Sequence, residues 1–596
     1  MATSYKAFPL NCSIQKRPSH VSDKSPHFNL PPFPAFKPLK KILPGVPLQI
    51  DVQKIITDTA AKLLEAFVDS FFEFVDQPLL PSQSNFAPVE ELGEAILVTS
   101  IQGRIPDDFP EGVYIRNGPN PLFGGLKSTN SIFGRSSHIW VEGEGMLHAI
   151  YFKRSSEGRW KVLYNNKHVE TDTYKIEKQL SKPSFLPAIE GDSLAILSAY
   201  LLNWLRFGKA NKYISNTNVF EHSGKFYSVA ENHIPQEIDI FTLKTLRNWD
   251  VNGAWDRPFT SHPKKAPDTG ELVTLGVAAT KPFAVAGIIS ADGEKLVRKV
   301  DLQLNRSTLC HDIGVTKRYN VIMDFPLTID LNRVLRGGQL IKYNKEEYAR
   351  IGILPRYGDA NSIKWFEVEP NCTFHIINSF EDGHEVVVRG CRSLDSLIPG
   401  PVLSLKEYEW LSRCYEWRLN MHTGEVKEKD ICGANVVYMD FPVINGNFIG
   451  VRNRYAYTQV VDPIASSTQD APKYGGLAKL YVEGSCTEFS MGVKEQPEEP
   501  IRVECHMFEK NTFCSGAAFV PREGGLEEDD GWIIAFVHNE DTNISEVHII
   551  DAKKFCGEMV TKITMPRRVP YGFHGAFMQN SFQAQEHNSV YHQQAP

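Results

Sequence analysis

The chain has 596 residues, 42% hydrophobic and 23% charged, the balance of a globular protein with a substantial core. A net charge of −7, with no basic arm, no zinc-finger spacing and no aromatic RNA-binding motif, gives no footing for a nucleic-acid partner. The 10 cysteines include no Cys-x-x-Cys pair, so they are read as buried thiols of a reducing compartment rather than a disulfide framework.

Residues 1–45 differ from the rest. They hold one acid, Asp23, against Lys6, Lys16, Arg17, Lys24, Lys37, Lys40 and Lys41, with Ser4, Ser13, Ser19, Ser22 and Ser25 between them. That is the composition of an organelle transit peptide. The prolines Pro31, Pro32, Pro34, Pro38 and Pro44 also fit a Pro-rich tail. Without an apolar h-region, a secretory signal is not expected. Residues 46–85 are expected to carry an amphipathic helix over Val52–Val75, with Ile56, Ala60, Leu63, Phe67, Phe71 and Phe74 on one face and charged residues on the other. A second helix is expected at Ser193–Phe207, apolar nearly all round and followed by Lys209 and Lys212. Neither stretch reaches the roughly 20 apolar residues that a membrane span needs. Each fits either a buried helix or one lying in a membrane surface.

Residues 86–596 read as one all-β domain. Short runs rich in Val, Ile, Tyr and Phe, such as Trp160–Tyr164, Lys225–Ala230, Tyr319–Asp324, Glu385–Arg389, Trp532–His538 and Glu546–Ile550, predict strands. Ser223-Gly224, Asp292-Gly293 and Asp382-Gly383 predict the turns between them. So many short strands call for an architecture that leaves few exposed sheet edges, and a propeller is the natural large solution. No WD or kelch repeat is present, so periodicity does not establish it.

Four histidines stand out by context: His262 in Thr-Ser-His-Pro, His311 in Leu-Cys-His-Asp, His375 in Thr-Phe-His-Ile and His574 in Gly-Phe-His-Gly. They are too far apart in the chain for a local chelate, and spacing alone does not lift them above the other histidines. The contexts, taken in order, resemble the iron-ligand histidines of the carotenoid cleavage oxygenases. Glu111-Gly-Val-Tyr-Ile-Arg-Asn-Gly-Pro-Asn-Pro121, Trp140-Val-Glu-Gly-Glu-Gly-Met-Leu-His148, Ile351-Gly-Ile-Leu-Pro-Arg-Tyr357, Trp365-Phe-Glu-Val-Glu-Pro-Asn371 and Arg568-Val-Pro-Tyr-Gly-Phe-His574 agree as well, so the resemblance runs from Phe86 to Phe577. It is strongest to the plant branch, which fits a plastid transit peptide.

The resemblance implies a seven-bladed β-propeller capped by helices and loops, with one Fe(2+) on its axis held by His262, His311, His375 and His574. It implies a dioxygenase that splits a conjugated double bond of a carotenoid or apocarotenoid with O2, at a 9,10 (9',10')-type or other apocarotenoid position, into two carbonyl products. Imidazole suits Fe(II), and four neutral ligands leave the full +2 charge and two octahedral positions open for dioxygen. His148 is expected to stand outside this set. The family commonly orients its ligands through three glutamates, because a carboxylate on the second ring N–H fixes the tautomer. Glu231 matches the first, expected on His311. Asp440, one methylene shorter, stands at the second, expected on His375. At the third the chain has Gly516, expected to leave room for a water on His574, so that Glu at 516 would raise metal retention. Phe259, Phe374 and Phe573 flank these motifs and are read as propeller core. Two other readings stand beside the dioxygenase: a non-catalytic propeller that binds apolar ligands, and an iron oxygenase acting on a phenylpropenoid or stilbene. A lipid-soluble substrate makes peripheral membrane contact at Ser193–Phe207 an expectation, at the mouth of the substrate tunnel.

Overall fold

The computed structural model describes residues 52–77, 84–396, 398, 408–433, 437–467, 472–483, 500–557 and 559–579. The expected targeting segment, residues 1–45, lies outside the described residues. The chain divides into two compact units, residues 1–59 and 60–596; of the first, only the opening turns of helix Val52–Phe71 are described.

All six runs named above form strands; Tyr319–Asp324 has the expected bounds, Lys225–Val229 is one residue shorter, and others extend, as Glu385–Ser393 and Gly531–Asn539 do. Among the described residues the strands form eight antiparallel sheets: one five-stranded, four four-stranded and the two halves of a nine-stranded sheet make seven blades, and a further four-stranded and a two-stranded sheet stand outside them. Blades 2 to 5 are continuous in sequence, at 218–248, 264–301, 314–368 and 372–430. Blade 6 spans 439–507 and blade 7 begins with Thr512–Pro521; the pair Tyr474–Cys514 joins their sheets. In most blades the first strand in sequence lies innermost, against the axis.

The ring is closed by exchanging chain ends. The last described strand, Gly575–Gln579, becomes the innermost strand of blade 1 by pairing with Gly112–Pro119. Near the other end, Ile101–Gly103 becomes the outermost strand of blade 7 by pairing with Thr561–Thr564. Closure covers both faces of most sheets, which is why their strands are apolar almost throughout rather than alternating. Every residue of Gly112–Pro119 is buried. An aromatic cluster fills the seam between blades 1 and 7: the Phe109 ring lies 5.0 Å from Phe152, 5.2 Å from Trp532 and 5.6 Å from Phe577.

The registers put every connection from a blade's second strand to its third on one side of the ring. That is also the side on which the innermost strands begin. The longest of these connections, together with residues 169–217 between blades 1 and 2, form a cap there. The cap holds helices Asp172–Leu180 and Ser193–Phe207.

Two expectations about the helices need correction. The first helix ends at Phe71, and Phe72–Asp76 is instead a strand paired with Lys127–Ser131. Its inward side is Leu64, Phe67 and Val68, packed with Leu186, Ala199 and Leu202, whereas Leu63 and Phe71 are exposed. The side chains of Ile56 and Ala60 lie outside the described residues. Lys212 does not flank an exposed helix either. Its half-buried side chain ion-pairs with both Glu144 and Glu177, which ties three cap segments together.

No described helix is long and apolar enough to cross a membrane. No disulfide joins any of the eight described cysteines; six of them are buried, Cys505 is half-buried and Cys556 exposed. Replacing Phe109 by Ala is expected to lower stability by about 3–5 kcal/mol, the cost of emptying an aromatic site in a close-packed core. A denaturant titration with an unchanged midpoint would show that the seam does not depend on this ring.

Candidate metal centre

Each of the four singled-out histidines sits at or just before the start of an innermost strand, so the ring geometry points them at one place. His262 precedes Lys264–Lys265 of blade 3, and His311 precedes Gly314–Val315 of blade 4. His375 lies within Cys372–Asp382 of blade 5, at a register shift that turns it inward. His574 immediately precedes Gly575–Gln579 of blade 1. Consecutive Nε2 atoms are 3.0 Å (His262–His311), 3.2 Å (His311–His375) and 3.1 Å (His375–His574) apart. All four ligand atoms lie within 4.8 Å of one another. His148 is not in this group; it is buried in blade 1 with Nδ1 2.8 Å from the Tyr164 hydroxyl.

Both matched carboxylates reach the cluster from behind. Glu231, in the connection between the second and third strands of blade 2, places Oε1 2.5 Å from Nδ1 of His311. Asp440, on the innermost strand of blade 6, places Oδ1 2.7 Å from Nδ1 of His375. Asp440 also accepts from the Ser412 hydroxyl at 2.9 Å and the Phe441 N–H at 2.8 Å. Burial would raise both acids, but the facing imidazoles outweigh it and hold each below the usual carboxylate range. Burial also lowers His311, and Glu231 more than reverses that. His262 and His574 stay neutral, because burial and the neighbouring imidazoles hold both well below their ordinary value.

These contacts test the site for a metal. A carboxylate can only accept, so it fixes the proton of His311 and of His375 on Nδ1. With both rings neutral, their Nε2 lone pairs then face each other at 3.2 Å. The neutral imidazoles of buried His262 and half-buried His574 adjoin. Four converging nitrogen donors of this kind fit a divalent transition metal, and imidazole suits zinc, copper, iron and nickel.

Beside the cluster lies a small apolar pocket of about 30 Å³, lined by Phe86, Trp140, Phe441, Tyr474, Phe513 and Phe573 among others. The Phe441 ring stands 5.0 Å from His375 and 4.7 Å from His574. It takes φ 54°, a strained backbone for an aromatic residue. Phe259 is core, as expected. Phe573 lines the cavity, and the Phe374 ring lies 5.4 Å from His311. Sequence reasoning missed Phe441 and Trp140; the adjacency of Phe441 to Asp440 was the available signal.

At Gly516 the expectation of space for a water is overturned. The residue sits at φ 70°, and a Cβ there would fall 2.3 Å from Cγ of Arg116. The side chain of Arg116 occupies that position, so an acid at 516 meets both backbone strain and a clash.

The family model described as retinal pigment epithelial membrane protein matches residues 86–579. A carotenoid 9,10(9',10')-cleavage dioxygenase 1 of Pisum sativum is 31% identical over 563 residues, covering 90% of this chain and 96% of its own. A chloroplastic 9-cis-epoxycarotenoid dioxygenase, NCED1, of Oryza sativa subsp. japonica is 29% identical over 557 residues, covering 87% of this chain and 80% of its own. The crystal structure of Pseudomonas brassicacearum lignostilbene dioxygenase superposes with a TM-score of 0.70 at 20% identity, covering 85% of this chain and all of that one. At that identity the superposition establishes the fold alone.

Glu231→Gln and Asp440→Asn are each expected to weaken metal binding by about 10–100-fold, whereas His148→Gln leaves it unchanged. Competition for Co(II) with a chelator of known affinity measures all three. Wild-type affinity in both carboxylate variants would mean that the ring orientations are set by packing alone.

Proposed function

Because the chain belongs to the retinal pigment epithelial membrane protein family, which includes the carotenoid cleavage oxygenases, we propose that it is an iron(II)-dependent dioxygenase. It splits a conjugated double bond of a carotenoid or apocarotenoid. The observation that carries this reading is the set of four imidazole nitrogens within 4.8 Å of one another, separated by Phe441 from a small apolar pocket. His262, His311, His375 and His574 would hold one Fe(2+) per chain. When bound, iron supplies the means to bring dioxygen, a ground-state triplet, into reaction with a closed-shell alkene.

The protein's own contribution is geometry and exclusion of water. Glu231 and Asp440 keep two ring N–H groups pointing away from the centre. Phe441 and Phe573 wall the cavity, and their apolar faces suit a flat, conjugated hydrocarbon chain and shed water from beside it. One C=C bond and one O2 are consumed and two carbonyl groups result. The 9,10 (9',10') position is favoured by the name of the pea relative, which covers nearly its whole length here. A plastid location is supported by the chloroplastic rice relative and by the acid-poor, serine-rich composition of residues 1–45.

A membrane-resident substrate would be collected at helix Ser193–Phe207. Its buried side packs Ala195, Ile196, Ala199 and Leu202 into the protein. Its other side exposes Leu194 (66%), Leu201 (57%), Trp204 (58%) and Leu205 (46%), and Leu335 on the neighbouring helix Leu331–Leu335 is 66% exposed. The helix packs on strand Gly134–Ser137, in the same connection that delivers Trp140 to the cavity. An apolar stripe of this kind gives reversible attachment rather than a span. Lys212, held between Glu144 and Glu177, adds no free charge to such a surface, and Lys209 stands 3.7 Å from Asp172.

Two experiments test these readings. Anaerobic loading with Fe(II), then oxygen and a panel of carotenoids and apocarotenoids, is expected to give about one iron per chain and pairs of carbonyl products identified by mass. Iron-free protein that binds the polyenes without bleaching them would make it a binding propeller instead. Separately, Leu201→Glu with Leu205→Glu should abolish sedimentation with liposomes and leave cleavage of detergent-solubilised substrate intact. Unchanged sedimentation would remove the helix from the membrane reading.

A further inference from the structure

We propose that Arg116 is a positioning residue for His574, doing through the turn at residues 570–574 what Glu231 and Asp440 do through ring nitrogens. The proposal rests on the reading that the four histidines hold a metal.

His574 has no acid at the place where the family resemblance implies one, because that place is Gly516. What lies there is Arg116, only 1% exposed. Its strand position is directly opposite Gly575. The side chain runs through a slot between two glycines on different segments. A Cβ on Gly516 would fall 2.3 Å from its Cγ, and one on Gly572 would fall 2.6 Å from both Cζ and Nε. Both positions must stay bare for the guanidinium to pass. At the far end it donates to the carbonyl of Pro570 and, at 3.0 Å, to the hydroxyl of Ser515. That hydroxyl also accepts from the N–H of Gly572 at 3.3 Å. One cation thus joins blade 7 to the turn that ends in His574.

The neighbouring residue grips the same turn by its backbone. Asn117 donates its N–H to the carbonyl of His574 at 3.0 Å and accepts from the N–H of Phe573 at 2.9 Å. Arg116 and Asn117 form the centre of the Tyr-Ile-Arg-Asn-Gly-Pro motif, whose role the metal ligands and their carboxylates leave unexplained.

Charge makes a space-filling role insufficient. No acid forms an ion pair with Arg116 among the described residues, and its Nε has no hydrogen-bond partner. The Phe536 ring, 5.3 Å from Cζ, gives weak compensation. Burying an unpaired cation is costly, and an apolar side chain of similar volume would avoid the cost. What only the guanidinium supplies is the pair of hydrogen bonds to Pro570 and Ser515.

The test uses the full chain loaded with Co(II), whose visible spectrum reports ligand geometry. Arg116→Met is expected to bind Co(II) about 10-fold more weakly or worse and to change the visible band, with the far-UV circular dichroism retained. Arg116→Lys should recover part of both. A purely structural role predicts lower thermal stability with an unchanged band, and that result would overturn the proposal. If Arg116→Met does not fold, Arg116→Ala is titrated with guanidinium at millimolar concentration. Return of the wild-type band supports the role; failure to return it refutes it. Wild-type protein that takes up no Co(II) would refute the centre itself, and is distinguishable from variants that match a loaded wild type.

Discussion

The arrangement at the axis is governed by nitrogen lone pairs that face each other across 3.2 Å with their protons held on the far side of the rings. Left alone, such lone pairs repel, and flexible side chains would rotate apart. They stay because each histidine is mounted where an innermost strand begins, and those strands are pressed together around a closed ring. The carboxylates are themselves fixed: Asp440 accepts one hydrogen bond from His375, one from Ser412 and one from its neighbour's backbone. The rigidity of the ring and the chain of acceptors behind the rings are two halves of one device for keeping donors converged.

That device is not uniform around the axis. On the side of blades 4 and 5 the histidines are backed by acids, so their orientation is electrostatic. On the side of blades 1 and 3 they are backed by packing and backbone contacts. There the His262 and His574 rings meet at 4.3 Å, nearly edge to face, and Phe441 covers His574. The apolar cavity opens on this second side. An acid behind His574 would bring charge beside the hydrocarbon wall; the chain instead carries glycines and a guanidinium turned away toward Pro570.

Much of this was legible in the residues, for identifiable reasons. Strands are local: alternating or continuous apolar runs ended by Ser-Gly or Asp-Gly turns located Lys225–Val229 and Tyr319–Asp324 nearly to the residue. The ring itself was not, because its blades share no repeat, and only resemblance supplied their number. The inward face of the helix at Val52–Phe71 was found only in part: Phe67 is shared, but Leu64 and Val68 turn inward in place of Leu63 and Phe71, and only the partner decides between such equally apolar neighbours. Lys212 was misread as a surface charge because its acids, Glu144 and Glu177, come from separate segments. The occupant of the space at Gly516 was out of reach for the same reason: Arg116 lies 399 residues from Ser515 in sequence and touches it in space.

Exchanging chain ends has a consequence for the order of assembly. Blades 2 to 5 are each made from contiguous sequence and bring His262, His311 and His375 into place by local pairing. Blades 1 and 7 wait for contacts between the two ends of the chain, such as Thr561 with Arg104, 457 residues apart. His574 arrives only with that last strand. A half-assembled ring therefore offers three donors, and the fourth is contributed by closure itself. A metal that prefers four donors to three binds the closed ring more tightly than the open one. By linkage it acts as a latch on the seam, worth about 2.7 kcal/mol when free metal exceeds its dissociation constant a hundredfold.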